Sequence, residues 1–216
     1  MTRLATVPLV LVLVPGLAAA ALAGPRDEKE RITKDDAALA RRAVARPTDL
    51  GAGWTRIPVP KQSNRCPSYN PDLSRFTLTG KAHSGFTHGG GAAIASSVSV
   101  YPNASQAAAA FSAEAKPGLM VCLSKTIARQ FSKSGVSAFV ASKQMTSTPR
   151  IGARSAAFHI VFRLVVSGRA AAYRVDILTF EVHRAIGALS FQALGGPIRN
   201  QVGLARRVEA RLATSR

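Results

Sequence analysis

The chain has 216 residues, 47% of them apolar, and a formal net charge of +18 at pH 7. This length and apolar content suit one domain with its own core and exclude an intrinsically disordered chain. The charge favours anionic partners such as wall polymers or acidic lipid headgroups, although charges spread along an Arg- and Ala-rich chain also fit a bias in genome composition.

The N-terminal residues 1–23 predict a secretory signal peptide. Arg3 supplies the positive start, a central apolar run follows, and Ala21–Ala23 match a small-residue cleavage signal. An uncleaved anchor is the alternative, but two prolines interrupt the apolar run. Residues 24–36 carry both charges and predict a flexible lead, and residues 37–216 predict a single domain.

A short helix is predicted from Ala37 to Ala45, with Thr33, Asp35 or Asp36 as its cap and Pro47 beyond its end. Trp54 follows a glycine-containing turn. The only tryptophan of the chain is expected to anchor the core rather than to serve as a platform for a ligand.

Strands around Phe76–Gly80 and Ile94–Val100 are predicted to form a hairpin with a glycine-rich tip at Gly85–Gly91. The tip contains His88–Gly91, which matches the oxyanion segment of some esterases. Those enzymes also need a G-x-S-x-G nucleophile elbow, which the sequence lacks. A hairpin tip is therefore the preferred interpretation.

Two helices are predicted next, over Ala107–Ala115 and Leu119–Phe131, separated by Pro117–Gly118. Asn103 is placed to cap the first of them, and Gln106 stands where a capping box puts its second member. The sequence then predicts a strand over Val136–Gln144.

The stretch from Ala156 to Leu194 predicts a three-stranded antiparallel meander, with turns at Gly168 and Gly187. In the middle strand the apolar parity changes at Leu178. Such a change indicates either a bulge or a strand that is exposed differently at its two ends.

The chain ends in a predicted amphipathic helix with Pro197 in its first turn. Its apolar face is formed by Ile198, Val202, Ala205, Val208 and Leu212. The arginines that lie largely off this face are the predicted contacts for an anionic ligand: Arg199, Arg206, Arg207 and Arg211. A helix packed on the sheet is expected, and a helix lying on a membrane surface is the alternative.

Cys66 and Cys122 are the only cysteines, and an even count in an exported chain favours a disulfide between them. The chain-entropy estimate for such a link is about 4 kcal/mol of stabilisation. No catalytic residue, metal ligand or cofactor-binding residue is predicted, because the four histidines lack metal spacing and no phosphate-binding glycine loop precedes a helix. Nucleic acid is not an expected partner of an exported chain.

The order of several segments resembles actinobacterial exported sensor-domain proteins, which include the extracellular domain of PknH-type receptor kinases. The resemblance rests on DLGAGW (Asp49–Trp54), VSVYPNASQAAAAF (Val98–Phe111), a helix with Cys122-Leu123 and RIGARSAAF (Arg150–Phe158). It implies an α+β sandwich like that of the PsbP group, an antiparallel sheet flanked by helices, and a ligand-sensing or scaffold role.

We therefore expect a secreted or envelope-associated, non-enzymatic binding domain that recognises an anionic polymer, a lipid or a small ligand. A structural protein that binds a protein partner is one alternative. A hydrolase with an unrecognised nucleophile is the other.

Overall fold

A computed structural model describes residues 27–59, 69–146, 148, 150–166 and 168–214. The predicted signal peptide (1–23) and Cys66 lie outside these residues. Among the described residues, no helix is both long enough and apolar enough to cross a membrane.

The fold is α+β, as the sequence predicts, with a seven-stranded antiparallel sheet and four helices among the described residues. The elements are β1 (Lys29–Glu30), α1 (Lys34–Ala43), β2 (Trp54–Ile57), β3 (Thr77–Leu78), β4 (Gly80–His88), β5 (Ala92–Val100), α2 (Ala104–Glu114), α3 (Pro117–Lys133), β6 (Ser137–Thr146), β7 (Arg154–Val166), β8 (Arg169–Val182), β9 (Ala185–Leu194) and α4 (Gln201–Ala213). The strand order is β2-β4-β5-β9-β8-β7-β6, so the β4–β5 hairpin joins the β6–β9 meander through the β5–β9 pair. Likeness to the PsbP group in particular stays a prediction.

Two hydrophobic cores lie on opposite faces of this sheet. Side chains alternate between faces along a strand, so Leu178 and Phe180 of β8 enter the core under α1 and α4. Val175 and Ile177 enter the core under α2 and α3. On one face, α1 packs on β4 and β5 while α4 packs on β8 and β9. On the other face, α3 packs on β6 and β7 while α2 packs on β8 and β9.

The parity change in β8 is explained by this arrangement. The strand pairs with β7 from Arg169 to Glu181 without a register shift, so it contains no bulge against that neighbour. All residues from Ile177 to Val182 are buried, while the beginning of the strand is exposed or half-buried. The alternative of a strand exposed differently at its two ends is therefore confirmed.

The turn predicted at Gly187 is wrong. The chain reverses at His183-Arg184, where His183 adopts a positive φ of 51°. Gly187 lies inside β9 opposite Phe180, and a Cβ at this position would come within 2.7 Å of the Phe180 ring. The glycine makes room for an aromatic side chain and does not form a turn.

The last helix begins later than predicted, because α4 starts at Gln201 and Asn200 precedes it in the left-handed conformation. Pro197 therefore lies in the connection and not in the first turn. Ala205, Val208 and Leu212 of the predicted apolar face are buried as expected, but Val202 is 37% exposed, and the buried Leu204 was not part of the predicted face.

The predicted cap Asn103 is confirmed, and Thr33 is the cap among the three residues proposed for the first helix. The Thr33 hydroxyl accepts a hydrogen bond from the Asp36 N–H at 3.2 Å, and the side-chain amide oxygen of Asn103 accepts one from the Gln106 N–H at 2.9 Å. The Gln106 side chain accepts instead from the N–H of Thr77 at 3.0 Å, which ties α2 to β3.

The ordered structure starts before the predicted domain boundary at residue 37. Within the predicted lead, β1 pairs in parallel with β3, and Lys34 already opens α1. Glu28 and Asp36 are buried at 9% and 7% exposure. Part of the charged lead is thus packed against the domain.

Candidate anion-binding site

Acidic residues are unevenly distributed along the chain. Eight of the eleven Asp and Glu residues precede Ala115, and none lies between Ala115 and Val175, although that stretch carries ten Lys and Arg residues. The sequence analysis treated the charges as spread along the chain. This description holds for the cations but not for the acids. This stretch forms α3, β6, β7 and the first half of β8.

Lys133, Arg163 and Arg169 lie at one corner of the sheet, where α3 and β7 end and β6 and β8 begin, and Lys143 and Arg174 lie further along β6 and β8, opposite Ile160 and Val161. We call this region the basic corner and define it by Lys133, Lys143, Arg163, Arg169 and Arg174. Arg163 pairs in register with Ala172, and Arg169 lies opposite Val166 at the hairpin end. The corner results from antiparallel topology, since antiparallel neighbours bring one strand's end beside the next strand's start.

The cations of the basic corner are available to solvent. Arg174 is half-buried and the other four are exposed. The guanidinium of Arg174 donates to the carbonyl of Gly195 at 2.9 Å. Within the described part of the chain, no member of the corner forms an ion pair, and Arg154 with Glu181 is the one ion pair involving the ten cations of the acid-free stretch.

The arginines that the sequence singled out have divided roles. Arg211 makes a bidentate pair with Asp49, at 3.0 and 2.9 Å, and also donates to the carbonyls of Ala43 and Val44. Arg207 donates to the Asp49 carbonyl at 2.8 Å. These two arginines join α4 to the turn after α1, whereas Arg199 and Arg206 are exposed. A contact of any of the four with an anion stays a prediction.

Burial alone would raise the pKa of Asp49. The hydrogen bonds from Arg211 and from the Arg46 N–H, with the charges of Arg211 and Arg207, outweigh burial and lower it. The Asp36 carboxylate has a lowered pKa because Arg184 donates to both of its oxygens, at 2.8 and 2.6 Å. Acids near α1 and α4 thus engage the arginines beside them.

Large apolar side chains are exposed beside the basic corner. Five are exposed in the described part of the chain, and three of them lie on β6: Phe139 at 62%, Val140 at 41% and Met145 at 47%. Phe139 pairs in register with Arg163, so an aromatic ring and a guanidinium share one face. Strand β6 forms an edge of the sheet, and its register shifts at Ala141.

A histidine–aspartate pair lies on the same face as Arg163, with His159 four residues before Arg163 on β7 and Asp176 opposite His159 on β8. Nδ1 of His159 and Oδ1 of Asp176 are hydrogen-bonded, and Oδ2 of Asp176 accepts from the Gln201 amide at 2.8 Å. A hydrolytic dyad would also need a hydroxyl or thiol on the second ring nitrogen. None of the described residues hydrogen-bonds to that nitrogen, and the unrecognised hydrolase stays an untested alternative.

Sequence reasoning missed this pair, although a signal for it was present. The predicted turn at Gly168 fixes the register of the β7–β8 hairpin, and that register places His159 opposite Asp176. The basic corner was not predicted, because its signal in the sequence is the absence of acids between Ala115 and Val175 and not the spacing of the cations.

A second feature is an open depression of about 530 Å³ at the edge of β4, beyond the end of β2. Its described lining includes Arg56, Val59 and His83. The pKa of His83 is lowered, first by burial and second by the charge of Lys81. The volume falls within the range of small-molecule sites, roughly 300–1,000 Å³.

Cys122 lies on α3 and is buried at 2% exposure. Its predicted partner Cys66 lies outside the described residues, so the disulfide stays a prediction. No group of three or more His, Cys, Asp or Glu residues in the described part of the chain is arranged to hold a metal ion.

Comparison with known protein families and with curated proteins found no match.

Proposed function

We propose that the protein is a non-enzymatic binding domain that recognises an anionic polymer or anionic lipid headgroups through the basic corner. The supporting observation is that the acid-free stretch places five cations at this corner of the sheet and along the strands that begin there, and that no described acid pairs with them. An export signal, if functional, would place this surface in the cell envelope or outside the cell.

Electrostatics favours this surface over the arginines of α4. Arg207 and Arg211 already engage Asp49, so an external anion would compete with a partly buried carboxylate. At the basic corner an incoming anion displaces water and counterions, and no ion pair with a described acid has to be broken. Each cation near an anionic surface contributes about 1 kcal/mol of binding free energy.

The test is binding to polyphosphate and to phosphatidylglycerol vesicles across a salt series. The corner variant combines Lys133→Gln, Arg163→Gln and Arg169→Gln, whose side chains are exposed and make no ion pair with a described residue. We expect its affinity at low salt to fall on the order of 100-fold and its salt dependence to become shallower.

A matched control removes three exposed cations elsewhere, through Arg31→Gln, Arg41→Gln and Arg42→Gln. Both variants lower the net charge equally, so only a local site makes them differ. Equal weakening by the two would mean that net charge alone governs binding, and the proposal would fail. A variant with Arg199→Gln and Arg206→Gln separately tests the contacts predicted on α4.

The partner-binding alternative predicts a different result. If the unchanged protein binds neither probe at low salt, the basic charge has no anionic partner of this class. A structural role with a protein partner would then be the better hypothesis.

A further inference from the structure

We propose that the partner of the basic corner is the surface of an anionic lipid bilayer, and that the sheet docks on it edge-on through β6. This inference rests on the proposed anion-binding function. It adds the apolar contribution of β6, which binding to a hydrated polyanion does not need.

The apolar contribution comes from both sides of the edge strand. Phe139 shares a face with Arg163, whereas Val140 lies opposite Phe162 and Met145 opposite Phe158 on the other face. An approach along the edge brings all three exposed side chains to the same plane. Aromatic and aliphatic side chains gain transfer free energy in the boundary between headgroups and acyl chains, which a soluble polymer does not offer.

The cations surround this apolar edge. Lys143 lies on β6 itself, Arg163 on the neighbouring strand, and Lys133 ends the helix that packs on β6. Helix α3 also carries exposed Lys125 and Arg129, eight and four residues before Lys133 and therefore on one side of the helix. Exposed apolar residues within a cationic rim are typical of surfaces that bind anionic membranes.

The depth of docking is limited by the backbone of β6. As an edge strand, β6 has no strand of the described residues on its outer side, so outward backbone groups need water or lipid headgroups as hydrogen-bond partners. Insertion into the hydrocarbon region would leave these groups without partners. Docking therefore reaches the headgroup layer and stops there.

The experiment compares vesicles of phosphatidylcholine alone with vesicles that also contain phosphatidylglycerol. The apolar variant combines Phe139→Ser and Met145→Ser. Its control combines Ile32→Ser and Val202→Ser, two other exposed apolar positions at 45% and 37% exposure. We expect the apolar variant to bind the anionic vesicles about tenfold more weakly, with polyphosphate binding unchanged and the control unaffected.

Fluorescence gives a second readout. Trp54 is the only tryptophan and lies on β2, at the opposite edge of the sheet from β6. We expect Phe139→Trp, introduced together with Trp54→Phe, to shift its emission to shorter wavelength on anionic vesicles and to be quenched by brominated lipid. Trp54 in the unchanged protein should show neither effect.

The outcomes separate the two proposals. If the corner variant loses affinity but the apolar variant binds vesicles like the unchanged protein, anion recognition stands and membrane docking is refuted in favour of a soluble polyanion. If the corner variant keeps its affinity for both probes, the proposed function itself is refuted.

Discussion

The arginines of α4 and the cations of the basic corner show two uses of the same side-chain chemistry. Arg211 lies over a carboxylate that is 7% exposed and donates to two backbone carbonyls as well. Arg163 stands on an exposed strand face beside Phe139. The difference comes from the acids nearby: a cation beside a buried acid stabilises the fold, and one without an acid remains available to a partner.

The largest effect is expected at Glu114, the last acid before the acid-free stretch, which forms no ion pair with a described residue. Burial raises the pKa of Glu114 to about 8, and the nearby Glu28 adds to the shift. One of its oxygens is buried without a hydrogen-bond partner among the described residues. The pKa of Glu114 is higher in the folded than in the unfolded state. The contribution of this residue to stability is therefore fully present below about pH 4.5 and is lost as pH rises towards about 8.

Glu114→Gln should remove this loss and stabilise the protein by about 4 kcal/mol near the upper end of that range. Urea unfolding at the two ends of the range measures it. An unchanged pH dependence in the variant would show that Glu114 is solvated or paired in solution.

The next effect concerns the arginine–acid interface. Asp49→Asn should destabilise the fold by about 3 kcal/mol, because it leaves Arg207 and Arg211 partly buried without their carboxylate. Chemical denaturation near neutral pH measures the loss. Arg206→Gln on the same helix serves as the control, since its side chain is exposed.

A smaller effect is expected at Asp36, whose partner Arg184 is 37% exposed. Asp36→Asn should cost about 1–2 kcal/mol. The pKa of Asp36 is lowered, so this contribution is present above about pH 3.8 and lost as pH falls through the folded-state value. Acid titration of stability should therefore show a smaller decline in the variant than in the unchanged protein.

The smallest effect is expected at the basic corner. Arg163→Gln and Arg169→Gln should change the free energy of unfolding by less than about 0.5 kcal/mol, because both side chains are exposed and lack described acid partners. A loss as large as that at Asp49 would mean that these cations stabilise the fold, and the contrast between the two regions would not hold.

The sequence predicted the elements well where local chemistry decides them. Asn103 and Thr33 cap their helices as expected, and Gly168 ends a strand whose alternation is clear. The turn at Gly187 was predicted wrongly, because a glycine that leaves space for the facing Phe180 ring cannot be distinguished in sequence from a glycine that forms a turn. The turn is formed at His183, which adopts the left-handed conformation although glycine is the residue usually found there.

The candidate site was predictable only in part. Net charge indicated an anionic partner, but the arginines of α4 were chosen from helical periodicity alone. Their engagement with Asp49 depends on contacts between residues more than a hundred positions apart, which periodicity does not reveal. The basic corner depends equally on strand order, because α3, β6, β7 and β8 converge there only after the sheet has formed.

The extra residue at Ala141 affects how the protein behaves when many copies are crowded together. A long outer strand with exposed Phe139 and Met145 is a template on which further copies can grow into fibres. The register shift at Ala141 breaks the straight row of backbone groups that such growth requires. We therefore expect deletion of Ala141 to favour assembly of this cationic protein into ordered aggregates.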